Sequence, residues 1–421
     1  MSREKNISYV TSNGLCTSCG ICKGVCGKKC ITFQYGKERN LPVVDETKCI
    51  QCGQCIGVCP GVGIQLNQYS KDLFAAMRGI RKNTHCGYYL NAYTGYSANE
   101  GIRYHSASGG MVTQFLLYLL DRKIIDGAVV VGYKEGDPLC PYPFIATTKE
   151  EIIQSRGSKY VVVSYDEIIS QLKGTDKRLV LVGLPCQIQG FRKLAQNSKK
   201  ISRCIIGYFA IYCSLNKTKH SIDYYLYRYN VNRKEVGYFS FRDDGCLGYM
   251  KIADKQGVVI KKVPYIKYWH GTHSFFVNNR CVLCTDHFGE LADISFGDIH
   301  IEPFKHDTIG ISSLVTRSSE WENHLQDCFN VGDIVITSIS IDTLVSSQIY
   351  SKIYKKGAGI KVNFLFRKLL NKPIPQYDVT FDAKITIKNI FQEFIKCIMR
   401  SIGHHKSLWP LIKFMDRWKK Y

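Results

Sequence analysis

Two runs of closely spaced cysteines constrain this chain more than any other feature of its sequence. Nine of its nineteen cysteines lie between residues 16 and 59. The runs are Cys16-Thr-Ser-Cys19-Gly-Ile-Cys22-Lys-Gly-Val-Cys26 and Cys49-Ile-Gln-Cys52-Gly-Gln-Cys55-Ile-Gly-Val-Cys59-Pro60. Three thiolates at this spacing can bind three irons of one 4Fe-4S cubane, whereas the fourth cysteine of each run is too distant and binds the other cluster. The runs therefore predict two clusters that exchange their fourth ligands.

The predicted ligands are Cys16, Cys19, Cys22 and Cys59 for cluster one, and Cys49, Cys52, Cys55 and Cys26 for cluster two. Two short strands, at 31–35 and 41–45, would bring the runs together in an α+β, ferredoxin-like N-terminal module. Gly27 follows Cys26 where proline is usual, so the nearby Cys30 is an alternative fourth ligand of cluster two. Two structural zinc sites are the other interpretation, although zinc favours separated Cys-x-x-Cys pairs over four-cysteine runs.

The odd total of nineteen cysteines argues against a disulfide framework and favours a reducing compartment. The first residues lack the apolar segment of a secretory signal. The longest apolar run, Cys204–Cys213, is far shorter than the roughly 18 residues of a membrane-spanning helix. We therefore expect a cytoplasmic protein in which clustered thiols bind metal.

The chain is strongly basic, with a formal net charge of +22, and the excess is concentrated in its last part. Residues 350–421 contain 16 basic and 4 acidic residues. Such a tail predicts contact with an anionic membrane face, an acidic partner or nucleic acid, and a solvated basic surface is the alternative. The negative charge of bound clusters would partly cancel the basic excess, which argues against nucleic acid. A peripheral membrane role for residues 385–421, where Phe391, Phe394, Ile395 and Ile398 lie at helical spacing, is a separate hypothesis.

The central residues alternate between strand and helix patterns, which favours an α/β domain with a mixed, largely parallel sheet. Strands are predicted at 124–133, 178–182 and 204–212, and helices at 71–81, from Met111 and from Phe191. The helix at Met111 follows Ser106-Ala-Ser108-Gly109-Gly110, a helix start whose free N–H groups attract an anion or an electron-rich ring edge. Ligands of such sheets collect outside the carboxyl ends of the strands.

Four further cysteines predict a third cluster at that edge. Cys186 and Cys213 each follow a predicted strand, and Cys281-Val-Leu-Cys284 offers two thiols at chelating spacing. Cys86 is a competitor for one of these places, and a zinc or mixed site is the alternative. The nearest polar groups, Asp286, His287 and Asp298, are predicted to move protons, although Asp298 could instead cap a turn. The isolated thiols, predicted to be core or surface residues, are Cys140, Cys204, Cys246, Cys328 and Cys397.

Together, the motifs resemble the beta subunits of coenzyme F420-reducing hydrogenase and dehydrogenase, from about Gly14 to about Asp298. The matching segments are the double-cluster module, Ser-Ala-Ser-Gly-Gly, Gly-Ser-Lys159-Tyr, Gly-Leu-Pro-Cys-Gln, and Cys-x-x-Cys-Thr-Asp followed by Ala-Asp-Ile-Ser-Phe-Gly-Asp. The resemblance implies that the α/β domain binds FAD beside its cluster. The residues it implies for FAD are Ser106, Ser108, Gly109, Gly110, Thr113, Lys159, Gly183, Leu184 and Pro185.

We therefore expect an iron–sulfur flavoprotein oxidoreductase that exchanges hydride with a deazaflavin or another organic acceptor. Its redox partner would be a ferredoxin, a reductase or another subunit. The alternative is a non-catalytic electron-transfer subunit of a larger redox complex. The predicted domains are the ferredoxin module at 1–66, the FAD and iron–sulfur domain at 67–340, and a basic C-terminal extension at 341–421.

Overall fold

An eight-stranded mixed sheet organises the chain in the computed structural model, which describes residues 6–349, 354–381 and 383–417. The strands are β1 (Ile31–Tyr35), β2 (Asn40–Val44), β3 (Gly63–Ile64), β4 (Arg81–Asn83), β5 (Gly87–Tyr89), β6 (Ala92–Ser97), β7 (Gly127–Lys134), β8 (Asp137–Ala146), β9 (Leu179–Gly183), β10 (Ile205–Ile211), β11 (Val236–Asp243), β12 (Tyr249–Asp254), β13 (Val259–Pro264), β14 (Ile294–Asp298), β15 (Ser312–Thr316), β16 (Ile334–Ser338) and β17 (Gln376–Tyr377).

The helices cover both faces of this sheet and form most of the C-terminal region. They are α1 (Ser8–Ser12), α2 (Ile21–Val25), α3 (Gln54–Gly57), α4 (Leu66–Phe74), α5 (Glu100–Tyr104), α6 (Met111–Asp121), α7 (Lys149–Gln154), α8 (Ile168–Lys173), α9 (Pro185–Gln196), α10 (Lys199–Cys204), α11 (His220–Tyr229), α12 (Tyr265–Thr272), α13 (Ser319–Asn330), α14 (Ile341–Ser346), α15 (Ala358–Leu369), α16 (Ile387–His404) and α17 (Trp409–Arg417). None of the helices in the described parts of the chain is long and apolar enough to cross a membrane.

The strand order of the large sheet is β16-β6-β15-β14-β10-β9-β7-β8. Its four central strands, β14, β10, β9 and β7, are parallel neighbours, and the pairs outside them are antiparallel. The predicted α/β class and mixed sheet are confirmed, with the parallel part confined to the centre. Only two residues join β7 to β8, and a connection that short permits only an antiparallel pair.

Alternate residues of the central strands pack against different helices, because successive side chains of a strand point to opposite faces. Leu179 and Leu181 of β9 belong to an apolar cluster with Ile188 and Leu194 of α9. Val180, between them, belongs to a second cluster that includes side chains of α6 and α13. Burial on both faces explains the continuous apolar sequence of β9, and each such side chain contributes about 1.5–3 kcal/mol.

Two predicted helix boundaries are wrong, and each has a local cause. Helix α9 begins at Pro185 rather than at Phe191, because proline suits the first helical position and the Gln187 side chain accepts the Leu184 amide at 2.7 Å. This places Cys186 in the first turn of a helix. Helix α4 spans Leu66–Phe74 rather than 71–81.

The early start of α4 depends on a residue distant in the sequence. The Asp378 carboxylate accepts the backbone amides of Asn67 and Gln68 at 2.9 and 2.8 Å, so it caps the helix N-terminus. No sequence pattern near residue 66 predicts this cap, because Asp378 lies more than 300 positions away in the chain.

The N-terminal and C-terminal parts of the chain contact each other directly. Strands β1 and β2 pair in antiparallel register, which confirms the two short strands predicted between the cysteine runs. Strand β3, just after Cys59, pairs in parallel with β17 of the C-terminal region. The ferredoxin-like fold of the whole module and the domain divisions after residues 66 and 340 stay predictions.

Candidate metal centre

The four thiols predicted for cluster one are all buried, and one of them, Cys22, lies in α2. The pKa of Cys22 is raised well above its usual value, first by burial and then by the charges of Cys19, Cys59 and Cys16. Backbone amides also point at these sulfurs: the Ser18 amide lies 3.3 Å from Cys16 Sγ. These four residues are called the first set below.

The turn between Cys19 and Cys22 requires a glycine. Gly20 has φ +82°, and a Cβ there would lie 2.4 Å from the amide nitrogen of Asp166. Only glycine permits both this left-handed conformation and this close contact. Gly20 therefore permits the turn that connects Cys19 to Cys22 in the first set.

A second set of five cysteines lines a cavity of about 240 Å³ near the surface. Its members are Cys26, Cys30, Cys49, Cys52 and Cys55. Cys52 is exposed, whereas Cys30 and Cys55 are buried. The sulfurs of Cys26 and Cys30 are 3.3 Å apart, so both alternatives for the fourth ligand of cluster two lie at the cavity.

The third set, Cys186, Cys213, Cys281 and Cys284, lines one cavity in the interior, as its placement in the sequence predicts. The pKa of Cys213 is raised to about 12 by burial, and the charges of Cys281 and Cys284 add to the shift. The competitor Cys86 is not among the residues around this cavity. Its buried thiol lies 3.9 Å from the Gly87 carbonyl oxygen.

Two buried cations that sequence reasoning missed accompany the third set. Lys355 lines the cavity, and its Nζ lies 3.5 Å from the Cys281 carbonyl oxygen. Burial alone would lower the pKa of Lys355, but the thiolate charges of Cys284, Cys213 and Cys281 raise it overall. The lysine is one of many in a basic tail, and no spacing signal distinguishes it.

The second cation, Arg280, connects the third set to the N-terminal module. Its guanidinium donates to the carbonyl oxygens of Gly61 and Pro60 at 2.7 and 2.8 Å. It also donates to the Tyr377 hydroxyl at 2.7 Å, and that hydroxyl donates to the Leu283 carbonyl at 2.7 Å. The only sequence signal for Arg280 is its position directly before Cys281.

The three sets lie in the order second, first, third. Among the charges that raise the pKa of Cys22 is that of Cys55, a member of the second set. Cys19 of the first set also lines the cavity of the third set, and its charge contributes to the raised pKa of Cys186. The three sets therefore form a row that begins at the exposed Cys52 and ends at the third cavity.

The third set lies at the carboxyl edge of the parallel strands. Cys186 follows β9 and Cys213 follows β10, while Asp298 ends the neighbouring β14. Ser312 of β15 pairs with Asp298, and its hydroxyl accepts the Gly109 amide at 3.0 Å. The segment predicted to hold FAD and the third set therefore occupy the same edge of the sheet.

Several residues implied for FAD already have partners within the protein. The hydroxyls of Ser106 and Ser108 donate to the carbonyl oxygens of Ile102 and Ile311, each at 2.7 Å. Gly110 has a left-handed φ of +74° at the start of α6, and Thr113 is buried in its first turn. Any polar contact from these serines to a ligand would therefore use their oxygen lone pairs.

The remaining residues implied for FAD divide between two places. The Lys159 ammonium donates to the carbonyl oxygens of Ser155, Arg156 and Gly157, and burial lowers its pKa to about 7. To contact the phosphates of FAD, the Lys159 ammonium would have to leave these carbonyl oxygens and donate to phosphate oxygens instead. The others lie by the third set: Gly183 ends β9, and Leu184 and Pro185 line the cavity.

Of the three residues predicted to move protons, Asp286 and His287 are buried, whereas Asp298 is half-buried. The carboxylate of Asp286 lines the third cavity and accepts the Gly289 amide at 2.8 Å and the Gln189 amide group at 2.9 Å. Burial lowers the pKa of His287 to about 3, so its imidazole is neutral at pH 7. Their roles in proton transfer stay predictions.

Asp298 is held as a carboxylate. Burial opposes ionisation, but the Arg242 guanidinium at 2.6 Å and His300 at 3.4 Å hold the pKa of Asp298 well below its usual value. The Gln348 side chain connects this group to His287: its Oε1 lies 3.1 Å from His287 Nε2, and its amide donates to the Asp298 backbone carbonyl at 2.7 Å. Asp298 therefore supplies a fixed negative charge at the sheet edge.

The central part of the chain matches the N-terminal and C-terminal parts of one protein family. Residues 92–170 match the N-terminal part, and residues 176–341 the C-terminal part, of the coenzyme F420 hydrogenase/dehydrogenase beta subunit. The chain belongs to this family. Residues 41–64 match a 4Fe-4S binding domain, which supports iron–sulfur clusters in the N-terminal module. No part of residues 342–421 falls within these matches.

Several relatives of this chain carry the names of F420-dependent oxidoreductases or of their subunits. The chain is 25% identical over 333 residues to the coenzyme F420-dependent sulfite reductase of Methanocaldococcus jannaschii, covering 76% of this chain and 47% of the reductase. It is 27% identical over 305 residues to the coenzyme F420 hydrogenase subunit beta of Methanococcus voltae, covering 69% of this chain and 99% of that subunit. These relatives place the chain in an oxidoreductase family.

A solved structure has the same fold. A chain of the F420-reducing NiFe hydrogenase complex from Methanosarcina barkeri superposes with a TM-score of 0.55 at 23% sequence identity. The match covers 70% of this chain and 98% of that chain. At this identity the similarity establishes the fold alone.

Proposed function

We propose that this chain passes electrons between 4Fe-4S clusters and FAD, and that it exchanges hydride with a deazaflavin or another organic acceptor. The observation that carries the proposal is the position of Cys19, which belongs to the first set and also lines the cavity of the third. Electron transfer between metal centres requires such proximity. The row of three sets ends at the carboxyl edge of the central strands, where ligands of α/β sheets collect.

The third set would hold a cluster through Cys186, Cys213, Cys281 and Cys284. Four thiolates that line one cavity fit a cubane, and the buried Arg280 and Lys355 offset the negative charge that such a group brings there. When bound, clusters transfer single electrons and FAD pairs them for hydride transfer. Leu184 and Pro185 would exclude water from this cavity.

FAD would lie along the same edge, held by the start of α6. Gly109 brings the backbone close to β6 and β15, and a Cβ there would lie 2.5 Å from the Gly95 carbonyl oxygen, whereas Gly110 packs against α5. The implied residues Ser106, Ser108 and Thr113 belong to this segment. For the acceptor, Asp286 and His287 are the titratable groups that we propose as proton carriers, and Asp298 fixes the charge beside them.

A second candidate is the non-catalytic electron-transfer subunit. The exposed Cys52 of the second set favours this candidate, because a partner protein could reach the row of sets at this end. The partner would be a ferredoxin, a reductase or another subunit, and the named hydrogenase relative is itself a subunit. A cytoplasmic location also belongs to this proposal.

Anaerobic purification with iron, sulfide and flavin measured together tests the proposal. We expect about twelve irons and one flavin per chain, followed by reduction of a deazaflavin when the protein receives electrons. About eight irons would contradict a cluster in the third set. A full complement of iron without flavin or deazaflavin reduction would favour the electron-transfer subunit, and zinc in place of iron would contradict both.

A further inference from the structure

The long C-terminal helix α16 is amphipathic, but its apolar side faces away from the protein. Five large apolar residues are between 40 and 86% exposed: Ile387, Phe391, Phe394, Ile395 and Ile398. Their spacing places them on one side of the helix. A surface helix of a globular protein normally buries this side, so α16 has the opposite orientation.

The opposite side of α16 is polar and buried. Glu393 and Arg400 are only 3 and 6% exposed. The Asn363 side chain on α15 donates to the Glu393 carboxylate at 2.7 Å, and Lys396 pairs with the same carboxylate at 2.7 Å. This network fixes the rotation of the helix, because turning it over would leave the buried polar groups without partners.

The end of α16 is also fixed by close packing. A Cβ on Gly403 would lie 2.5 Å from the Phe276 amide nitrogen, and the Trp409 indole donates to the Gly403 carbonyl at 3.1 Å. Trp409 itself is buried in an aromatic cluster with Tyr224 and Phe276. The outward apolar side is therefore a stable feature of the fold.

The charges around this face indicate what covers it. Lys384 and Lys388 are exposed at the start of α16, and residues 350–421 carry 16 basic against 4 acidic residues. The exposed face is the outer side of one helix, and Leu411 and Met415 of α17 add further exposed apolar area. An apolar helix face bordered by lysines complements an anionic lipid surface, where it lies parallel to the membrane.

We propose that α16 binds the surface of an anionic membrane, with Ile387, Phe391 and Phe394 among the acyl chains and Lys384 and Lys388 at the head groups. This inference does not depend on the redox proposal, because α16 contributes none of the cysteines proposed as ligands. The region that carries it lies beyond the family match, which ends at residue 341. The proposed attachment therefore uses a region of this chain outside the family match.

Sedimentation of the purified holoprotein with vesicles tests the proposal. We expect the protein to pellet with vesicles of phosphatidylglycerol and phosphatidylcholine, and to stay in the supernatant with phosphatidylcholine alone. The double variant Phe391→Ser/Phe394→Ser should lose at least about tenfold in partitioning, because two aromatic side chains no longer enter the acyl region. The control Phe329→Ser, at an exposed position of α13, should partition like the unmodified chain.

The charge contribution has its own matched pair. Lys384→Gln/Lys388→Gln should weaken binding to the anionic vesicles, whereas Lys199→Gln/Lys200→Gln, the same charge change on α10, should not. Iron content and circular dichroism should be unchanged in all four variants, since each replaced side chain is exposed.

A soluble protein in the presence of anionic vesicles would overturn the proposal. So would equal losses in the α16 variants and their controls. A dimer without vesicles, dissociated by Phe391→Ser/Phe394→Ser, would assign the face to a second copy instead and would likewise overturn it.

Discussion

The second and third cysteine sets are proposed to bind the same kind of cluster, but the fold builds them in different ways. The second set comes from residues 26–55, lines an open cavity and includes an exposed thiol, Cys52. The third set comes from the first turn of α9, the end of β10 and the turn at Cys281–Leu283. One set therefore depends mainly on local spacing, and the other depends on the tertiary structure.

The difference extends to electrostatics. Water can reach the second set at the exposed Cys52, whereas the cavity of the third set is lined by buried side chains and needs cations from the protein. Arg280 and Lys355 supply them from positions that no cysteine motif includes. Lys355, 71 positions after Cys284, shows that the cations around the proposed interior cluster need not come from the segments that supply its cysteines.

The largest expected effect is a loss of iron when a cysteine of the third set, but not an isolated cysteine, is replaced. Cys284→Ser should remove one cluster, about four irons of about twelve, because a serine hydroxyl is a poor ligand for a cubane. Cys328→Ser replaces a buried thiol outside the sets and should keep all the iron. Iron and sulfide analysis of anaerobically purified protein measures both. Equal iron in the two variants would mean that the third set binds no cluster.

A second prediction concerns the surplus thiol of the second set. Because the sulfurs of Cys26 and Cys30 are 3.3 Å apart at one cavity, either can complete the ligand set of cluster two. Cys26→Ser and Cys30→Ser should each keep this cluster, and the double variant should lose about four irons. Iron content and electron paramagnetic resonance spectra distinguish the three proteins. Loss of the cluster in Cys26→Ser alone would assign the fourth ligand to Cys26.

These two sets also show how far the sequence predicts the site. Spacing alone predicts the eight cysteines of the runs as ligands, and the structure places Cys186, Cys213, Cys281 and Cys284, which the sequence analysis grouped, around one cavity. The mixed α/β sheet follows from the alternation of apolar strands and helices. The cysteine spacing, the strand–helix alternation and the positions of Cys186 and Cys213 after predicted strands are signals that neighbouring residues carry, although the third set itself forms only in the tertiary structure.

What the sequence does not predict depends on contacts between distant segments. Asp378 caps α4, and Lys355 reaches the third cavity, although neither lies near its partner in the sequence. The outward orientation of α16 also depends on Asn363, a residue of another helix. A periodic pattern identifies an apolar side but does not say whether that side faces the core.

A third prediction concerns stability. Arg280→Met removes three hydrogen bonds and leaves the buried Pro60 and Gly61 carbonyls without their donor. We expect a loss of about 3 kcal/mol in the free energy of unfolding. Arg178→Met, which breaks an exposed ion pair with Asp126, should cost less than about 1 kcal/mol. Denaturant unfolding of the anaerobic holoprotein compares them, and equal losses would contradict a bridging role for Arg280.

The smallest expected effect tests the electrostatic half of the comparison. Lys355→Gln removes a positive charge from the third cavity, so adding an electron there becomes less favourable and the reduction potential of its cluster should fall. Lys355→Arg keeps the charge and should keep the potential closer to that of the unmodified protein. Anaerobic redox titration followed by electron paramagnetic resonance measures the shift for each cluster separately.

The same titration provides an internal control, because the second set lies near solvent and has a different environment. Its potential should be unchanged in Lys355→Gln, since water screens the distant charge. If both Lys355 variants shifted the third potential equally, the lysine would act through packing rather than charge. A fall confined to the third cluster and to Lys355→Gln would show that a residue beyond the family match sets the energy of the innermost electron-transfer site.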